Sequence, residues 1–102
     1  MTNGNVHIER LAEALTILLD FVPETNEELV RWYDKAQCIL ENPNLLKGAP
    51  HFLWHYLADA DIRMNDSAYA QMQHRRIEQV LQCLRRGEMP TDEDTELSEK
   101  SL

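Results

Sequence analysis

The sequence has few of the residues that interrupt helices or cross-link a chain. Its 102 residues include only 3 Gly, 4 Pro and 2 Cys. An all-β fold needs frequent turns rich in Gly and Pro, so this scarcity argues against one. The two cysteines, Cys38 and Cys83, are far apart and form no CxxC motif. We therefore expect neither a disulfide framework nor a cysteine-based zinc motif.

Long apolar runs and an excess of positive charge are also missing. No apolar run exceeds three residues, as at 17–19 and 52–54, so neither a membrane span nor a signal segment is expected. Together with the sparse thiols this predicts a cytoplasmic protein. The net charge is −8, of which residues 88–102 carry −5 and residues 1–87 only −3. Without a basic face, nucleic-acid binding is not expected.

What the chain does contain is helical periodicity. Hydrophobic residues make up 43% and charged residues 27% of it, an ordinary mixture for a globular protein of one domain. Apolar positions recur at 3-4 spacing in four segments, near 6–22, 25–41, 50–64 and 67–86. This pattern predicts an all-α fold, a small antiparallel four-helix bundle within residues 1–87. Residues 88–102, acidic and nearly without apolar side chains, are predicted to be a disordered tail.

Local signals support these helix ends. Thr25 followed by Glu28 fits a capping box, and Asp66 or Ser67 suits the start of the last helix. Gly87 suits a left-handed C-terminal cap. Leucines in the loop at 45–46 are expected to fold back over the bundle. The core of the first helix is predicted to comprise Ile8, Leu11, Leu15, Leu18 and Val22.

The third helix has more apolar residues than one buried face needs. Its predicted core stripe contains Leu53, Leu57, Ala60 and Met64. Large apolar side chains outside that stripe, next to a histidine, indicate an interface, since small proteins rarely leave such groups together in water. The predicted interface residues are Phe52, Trp54, His55 and Ile62, and the simplest partner is a second copy, giving a homodimer.

The same helix contains a possible metal site. His51, His55 and Asp59 have i, i+4, i+8 spacing and could bind zinc or another divalent ion. A tight turn before the last helix could add His74 and Glu78. Against a catalytic metal, this face points away from the core stripe, and no HEXXH motif is present.

Two functions remain open from the sequence. The first is a small non-enzymatic regulatory or interaction module that acts through a protein partner or by self-association. The alternative is a metal-binding or metal-dependent helical protein using His51, His55 and Asp59. No GxSxG motif and no glycine-rich phosphate loop occurs in the sequence, so no catalytic residue and no organic cofactor is assigned.

Overall fold

The computed structural model describes residues 6–91, which form five α-helices and no strand. They are α1 (Val6–Asp20), α2 (Asn26–Leu40), α3 (Phe52–Ala58), α4 (Ala60–Asn65) and α5 (Ser67–Arg85). The all-α prediction is confirmed, but the predicted single helix at 50–64 is two short helices, so the four-helix count is wrong. No helix within residues 6–91 combines the length and the apolar character needed to span a membrane.

The predicted N-terminal caps of α2 and α5 are present. The Thr25 hydroxyl accepts a hydrogen bond from the Glu28 amide at 3.1 Å. The Glu28 carboxylate accepts one in return from the Glu24 amide at 2.8 Å. At the start of α5, Asp66 Oδ1 accepts from the Tyr69 amide at 3.0 Å. These bonds satisfy backbone amides that have no partner within their own helix.

The C-terminal end of α5 is a Schellman motif. Gly87 has φ of 80°, the left-handed conformation that glycine adopts without steric cost. The Gly87 amide donates to the Leu84 carbonyl at 2.9 Å, and the Glu88 amide donates to the Cys83 carbonyl at 3.0 Å. This pair of bonds defines the motif and ends the helix where the sequence predicts.

Beyond Gly87 the described chain continues to Thr91. Met89 packs against the hydrophobic core, and Pro90 is buried. Both residues belong to the segment 88–102 that the sequence predicts as a tail. The remainder of that predicted tail, residues 92–102, lies outside the described residues.

The hydrophobic core lies where α1 packs against α5 and α2, and where α3 contacts α2 and α5. Leu46 is buried, as predicted for the loop leucines. Val22 is 62% exposed rather than buried, because α1 ends at Asp20. The most deeply buried large side chains include Leu11, Leu15, Leu18, Trp32, Leu53, Leu57, Ile77, Leu81 and Leu84.

Trp32 lies at the centre of this core and joins three helices. Its side chain is 1% exposed, and its indole N–H donates to the Leu18 carbonyl at 3.2 Å. Because Leu18 is in the last turn of α1, this bond satisfies a carbonyl near a helix end. The Tyr33 and Tyr56 rings contact Trp32 edge-on, at centroid distances of 5.8 and 5.7 Å.

The helix predicted at 50–64 breaks at Asp59, whose φ of −107° and ψ of 19° are not helical. Side chains from neighbouring segments bond to the backbone around the break. The Tyr33 hydroxyl lies 3.0 Å from the Ala58 carbonyl oxygen and accepts a hydrogen bond from the Asp61 amide at 3.1 Å. Arg63 donates to the Tyr56 carbonyl at 2.8 Å. Side chains from α2 and α4 therefore supply partners for the interrupted backbone.

Candidate functional site

Two groups of side chains stand out around α3, one on each side of the helix. The first, the Arg63 cluster, comprises Asp59, Arg63, Tyr69 and Gln73, and lies where α4 packs against α5. The second, the α3 surface, comprises His51, Trp54, His55 and Ala58, and is exposed.

The Arg63 cluster is a continuous chain of hydrogen bonds. The Tyr69 hydroxyl donates to Asp59 Oδ2 at 2.5 Å. Gln73 Nε2 lies 3.3 Å from the same carboxylate oxygen and 3.0 Å from the Tyr69 hydroxyl. Gln73 Oε1 accepts from Arg63 Nη1 at 2.6 Å. Both ends of the Gln73 amide are thereby satisfied, which explains how a polar side chain can be only 1% exposed.

The Arg63 guanidinium is also packed against aromatic rings. Its central carbon lies 4.2 Å from the centroid of the Tyr56 ring and 4.9 Å from that of Trp32. At these distances the ring quadrupoles attract the cation. Burial lowers the pKa of Arg63, while the nearby Tyr56 and Asp59 oppose that shift.

The tyrosines of this region are weaker acids than usual. Burial, together with the hydrogen bond to the Asp59 carboxylate and its charge, raises the pKa of Tyr69 to about 12. Burial also raises the pKa of Tyr56. A phenol with a pKa this high is poorly suited to acid–base chemistry near neutral pH. The cluster is therefore best explained as the structure that holds the α3–α4 break against α5.

The α3 surface differs in chemistry from the rest of its helix. Phe52, Leu53, Tyr56 and Leu57 are buried, while the α3 surface forms one exposed stripe at i, i+3, i+4 and i+7. Trp54 is 40% exposed, and its ring stacks on that of His51 at a centroid distance of 6.3 Å. The His51 and His55 rings meet edge-on at 4.8 Å.

The structure brings together only part of the predicted metal set. His51 and His55 are neighbours, but Asp59 bonds to Tyr69 and Gln73 on the α5 side. The break in the helix is the physical reason, since Asp59 no longer continues the face of His55. His74 and Glu78 are exposed on α5. Within residues 6–91, no three His, Cys, Asp or Glu side chains are grouped so that they could hold a metal ion.

The predicted interface set is also divided. Trp54 and Ile62 are 40% and 44% exposed, and His55 is exposed. Phe52, by contrast, is 5% exposed; it packs beside the Tyr56 ring and has the Arg76 guanidinium over its own ring. Phe52 therefore does not share an exposed face with the other three residues, and the interface itself stays a prediction. Because α3 contacts both α2 and α5, its buried face is wider than the single stripe expected.

Two recesses lie on the described part of the chain, and neither forms an enclosed ligand site. A cavity of about 90 Å³ beside Arg63, bordered by Trp32 and His74, has room for about three waters, less than most organic ligands require. An open groove of about 900 Å³ runs between α1 and the end of α5, with Glu13 and Arg86 among the residues that line it. Both of these charged side chains are exposed, so the groove offers a solvated surface rather than an enclosed site.

Comparison with known protein families, with curated proteins and with solved structures finds no match for this chain. The functional argument therefore depends on the geometry alone. Sequence reasoning missed the grouping of Arg63, Tyr69 and Gln73. The only local signal of this cluster is Gln73, a polar residue that lies four positions before the buried Ile77 on the same helix face.

Proposed function

We propose that this chain is a non-enzymatic interaction module that forms a weak homodimer through the α3 surface. One observation carries this proposal. Among the helices of residues 6–91, α3 alone contains no Asp, Glu, Lys or Arg, although one side of it faces solvent. Interface centres are depleted in charged residues and enriched in aromatic ones, and the stripe around Trp54 has this composition.

A second copy is the partner that this chemistry favours. An isologous contact pairs a surface with itself, so any charge on it would face the same charge near the twofold axis. The α3 surface contains no Asp, Glu, Lys or Arg, so it avoids that repulsion. The absence of such charges favours contact through this surface, because two copies of a chain with a net charge of −8 repel each other in most other orientations.

The expected dimer is weak because the surface is small. Helix α3 has seven residues and is therefore about 10 Å long. A stable protein–protein interface usually buries about 800 Å² per partner, more than such a stripe provides. We expect a dissociation constant in the high micromolar range.

Sedimentation equilibrium over a wide range of concentrations tests the proposal. The metal-free wild type should show reversible dimerisation, which Trp54→Ala should weaken strongly. Val30→Ala is the matched control, because Val30 is an exposed apolar residue on α2, at 59% exposure. It should leave the dimer unchanged.

Folding stability provides the second readout. Since Trp54 is half exposed, Trp54→Ala should cost less than about 1.5 kcal/mol, whereas Trp32→Ala should cost about 3–5 kcal/mol. A wild-type chain that stays monomeric at millimolar concentration would refute the proposal. Equal weakening of the dimer by Trp54→Ala and Val30→Ala would also refute it.

A further inference from the structure

We propose that one zinc ion bridges two copies of this chain, held by His51 and His55 of each. The inference depends on the proposed function, since it names the ligand that would strengthen contact through the α3 surface. It follows from the geometry of the histidine pair and from the number of ligands that one chain brings together.

The separation of the two rings fits a shared metal ion. A Zn–N bond of about 2.0–2.1 Å places each imidazole centroid roughly 3.2 Å from the ion. Two imidazoles at bond angles between about 90° and the tetrahedral value then have centroids about 4.5 to 5.3 Å apart. The observed distance between the His51 and His55 centroids is 4.8 Å.

The backbone keeps this spacing. His51 precedes the first residue of α3, but its φ of −58° and ψ of −30° are helical. The two histidines therefore occupy true i and i+4 positions, one turn apart on the same face. The Trp54 ring stacked on His51 packs against that imidazole. Both histidines are exposed, so an ion can reach them from solvent.

One chain provides half of a tetrahedral site. Zinc in structural sites takes four protein ligands, and within residues 6–91 no third His, Cys, Asp or Glu joins the pair. A second copy related by a twofold axis through the ion would supply the other two imidazoles. A tetrahedron contains such an axis, so the symmetry of the site and that of an isologous dimer agree.

Zinc titration of an EDTA-treated chain without a histidine tag tests the inference. Calorimetry should give one zinc ion per two chains, and sedimentation should show the dimer increasing with zinc. With free zinc 100-fold above its dissociation constant for the dimer, the apparent association constant should rise by about 100-fold. His55→Ala should abolish this rise, while His74→Ala, which alters an exposed histidine outside the pair, should retain it.

The outcomes separate this inference from the proposed function. Dimerisation that is equal in zinc and in EDTA would overturn the zinc bridge and leave the metal-free dimer standing. One zinc ion bound per monomer without a change in mass would overturn the bridge, as would loss of the zinc effect in His74→Ala. A chain that is monomeric in EDTA but dimeric with zinc would support the bridge and refute the metal-free dimer. A monomer under every condition would refute both.

Discussion

Replacing Arg63 with Met should destabilise the fold more than its position on a six-residue helix suggests. Methionine keeps much of the side-chain volume but removes the charge and every side-chain N–H donor. Gln73 Oε1 and the Tyr56 carbonyl would each lose the hydrogen bond that Arg63 Nη1 now donates. The Asp59 carboxylate would lose a nearby positive charge.

The size of the loss can be estimated from these contacts. A hydrogen bond to a charged group contributes about 1.5–3 kcal/mol when buried, and these two are partly buried. The contacts with Trp32 and Tyr56 add roughly 0.5–1 kcal/mol each. Because such terms overlap, we expect a net loss of about 3 kcal/mol for Arg63→Met. For a domain of this size, that lowers Tm by about 12–24 °C.

Urea unfolding followed by far-UV circular dichroism measures the change, and a double-mutant cycle isolates its cause. Gln73→Leu removes the acceptor of the shortest Arg63 bond. If this bond matters, the double variant should lose about 1–2 kcal/mol less than the sum of the single losses. Arg63→Lys keeps the charge without the planar donor group, and should fall between the wild type and Arg63→Met.

A loss below about 1 kcal/mol in Arg63→Met would refute this account of the cluster. So would additive losses in the cycle, since residues that share a buried hydrogen bond are expected to be coupled.

Two further predictions concern the tyrosines and the end of the chain. The pKa values of Tyr33, Tyr56 and Tyr69 are all raised, with burial the largest cause. The midpoints of tyrosinate formation should therefore lie above pH 10 in the folded chain and return to about 10 in denaturant. Because the folded pKa values exceed the unfolded one, the neutral tyrosines contribute their full stability below about pH 10, and this contribution is lost as pH rises toward 12. Tyr69→Phe should make the free energy of unfolding fall less steeply over this range. An unchanged dependence on pH would contradict the raised pKa of Tyr69. Truncation after Thr91 should leave Tm nearly unchanged. Truncation after Gly87 should lower the free energy of unfolding by about 1 kcal/mol, because it also removes the packing of Met89 against the core. Equal effects of the two truncations would contradict a stabilising role of Met89.

The parts of the fold that the sequence predicts are those encoded over a few residues. The Thr25–Glu28 cap and the Gly87 helix end depend on partners within three or four positions, and both are present. The buried residues of α2, Trp32, Ala36 and Ile39, also recur at the spacing of a helix. For such elements, local spacing determines the contacts.

The break at Asp59 could not be predicted in the same way. Residues 51–64 contain neither Gly nor Pro, and their pattern fits one helix. The side chains that bond to the interrupted backbone include Tyr33, which is on α2, some 28 positions before Asp61. Asp59 lies apart from His55 for the same reason, because it would keep its helical position beside His55 only in a continuous helix. Non-local hydrogen bonds therefore decided what local periodicity could not.

The packing of α1 against α5 has a consequence for synthesis on the ribosome. Leu11, Leu15 and Leu18 are translated before α5, whose first residue, Ser67, follows Leu18 by 49 positions. Until α5 has left the ribosome, the apolar stripe of α1 lacks its main cover and presents a surface that chaperones recognise. Nascent chains stalled before α5 should therefore be protease-sensitive, and compact folding should begin only after α5 emerges.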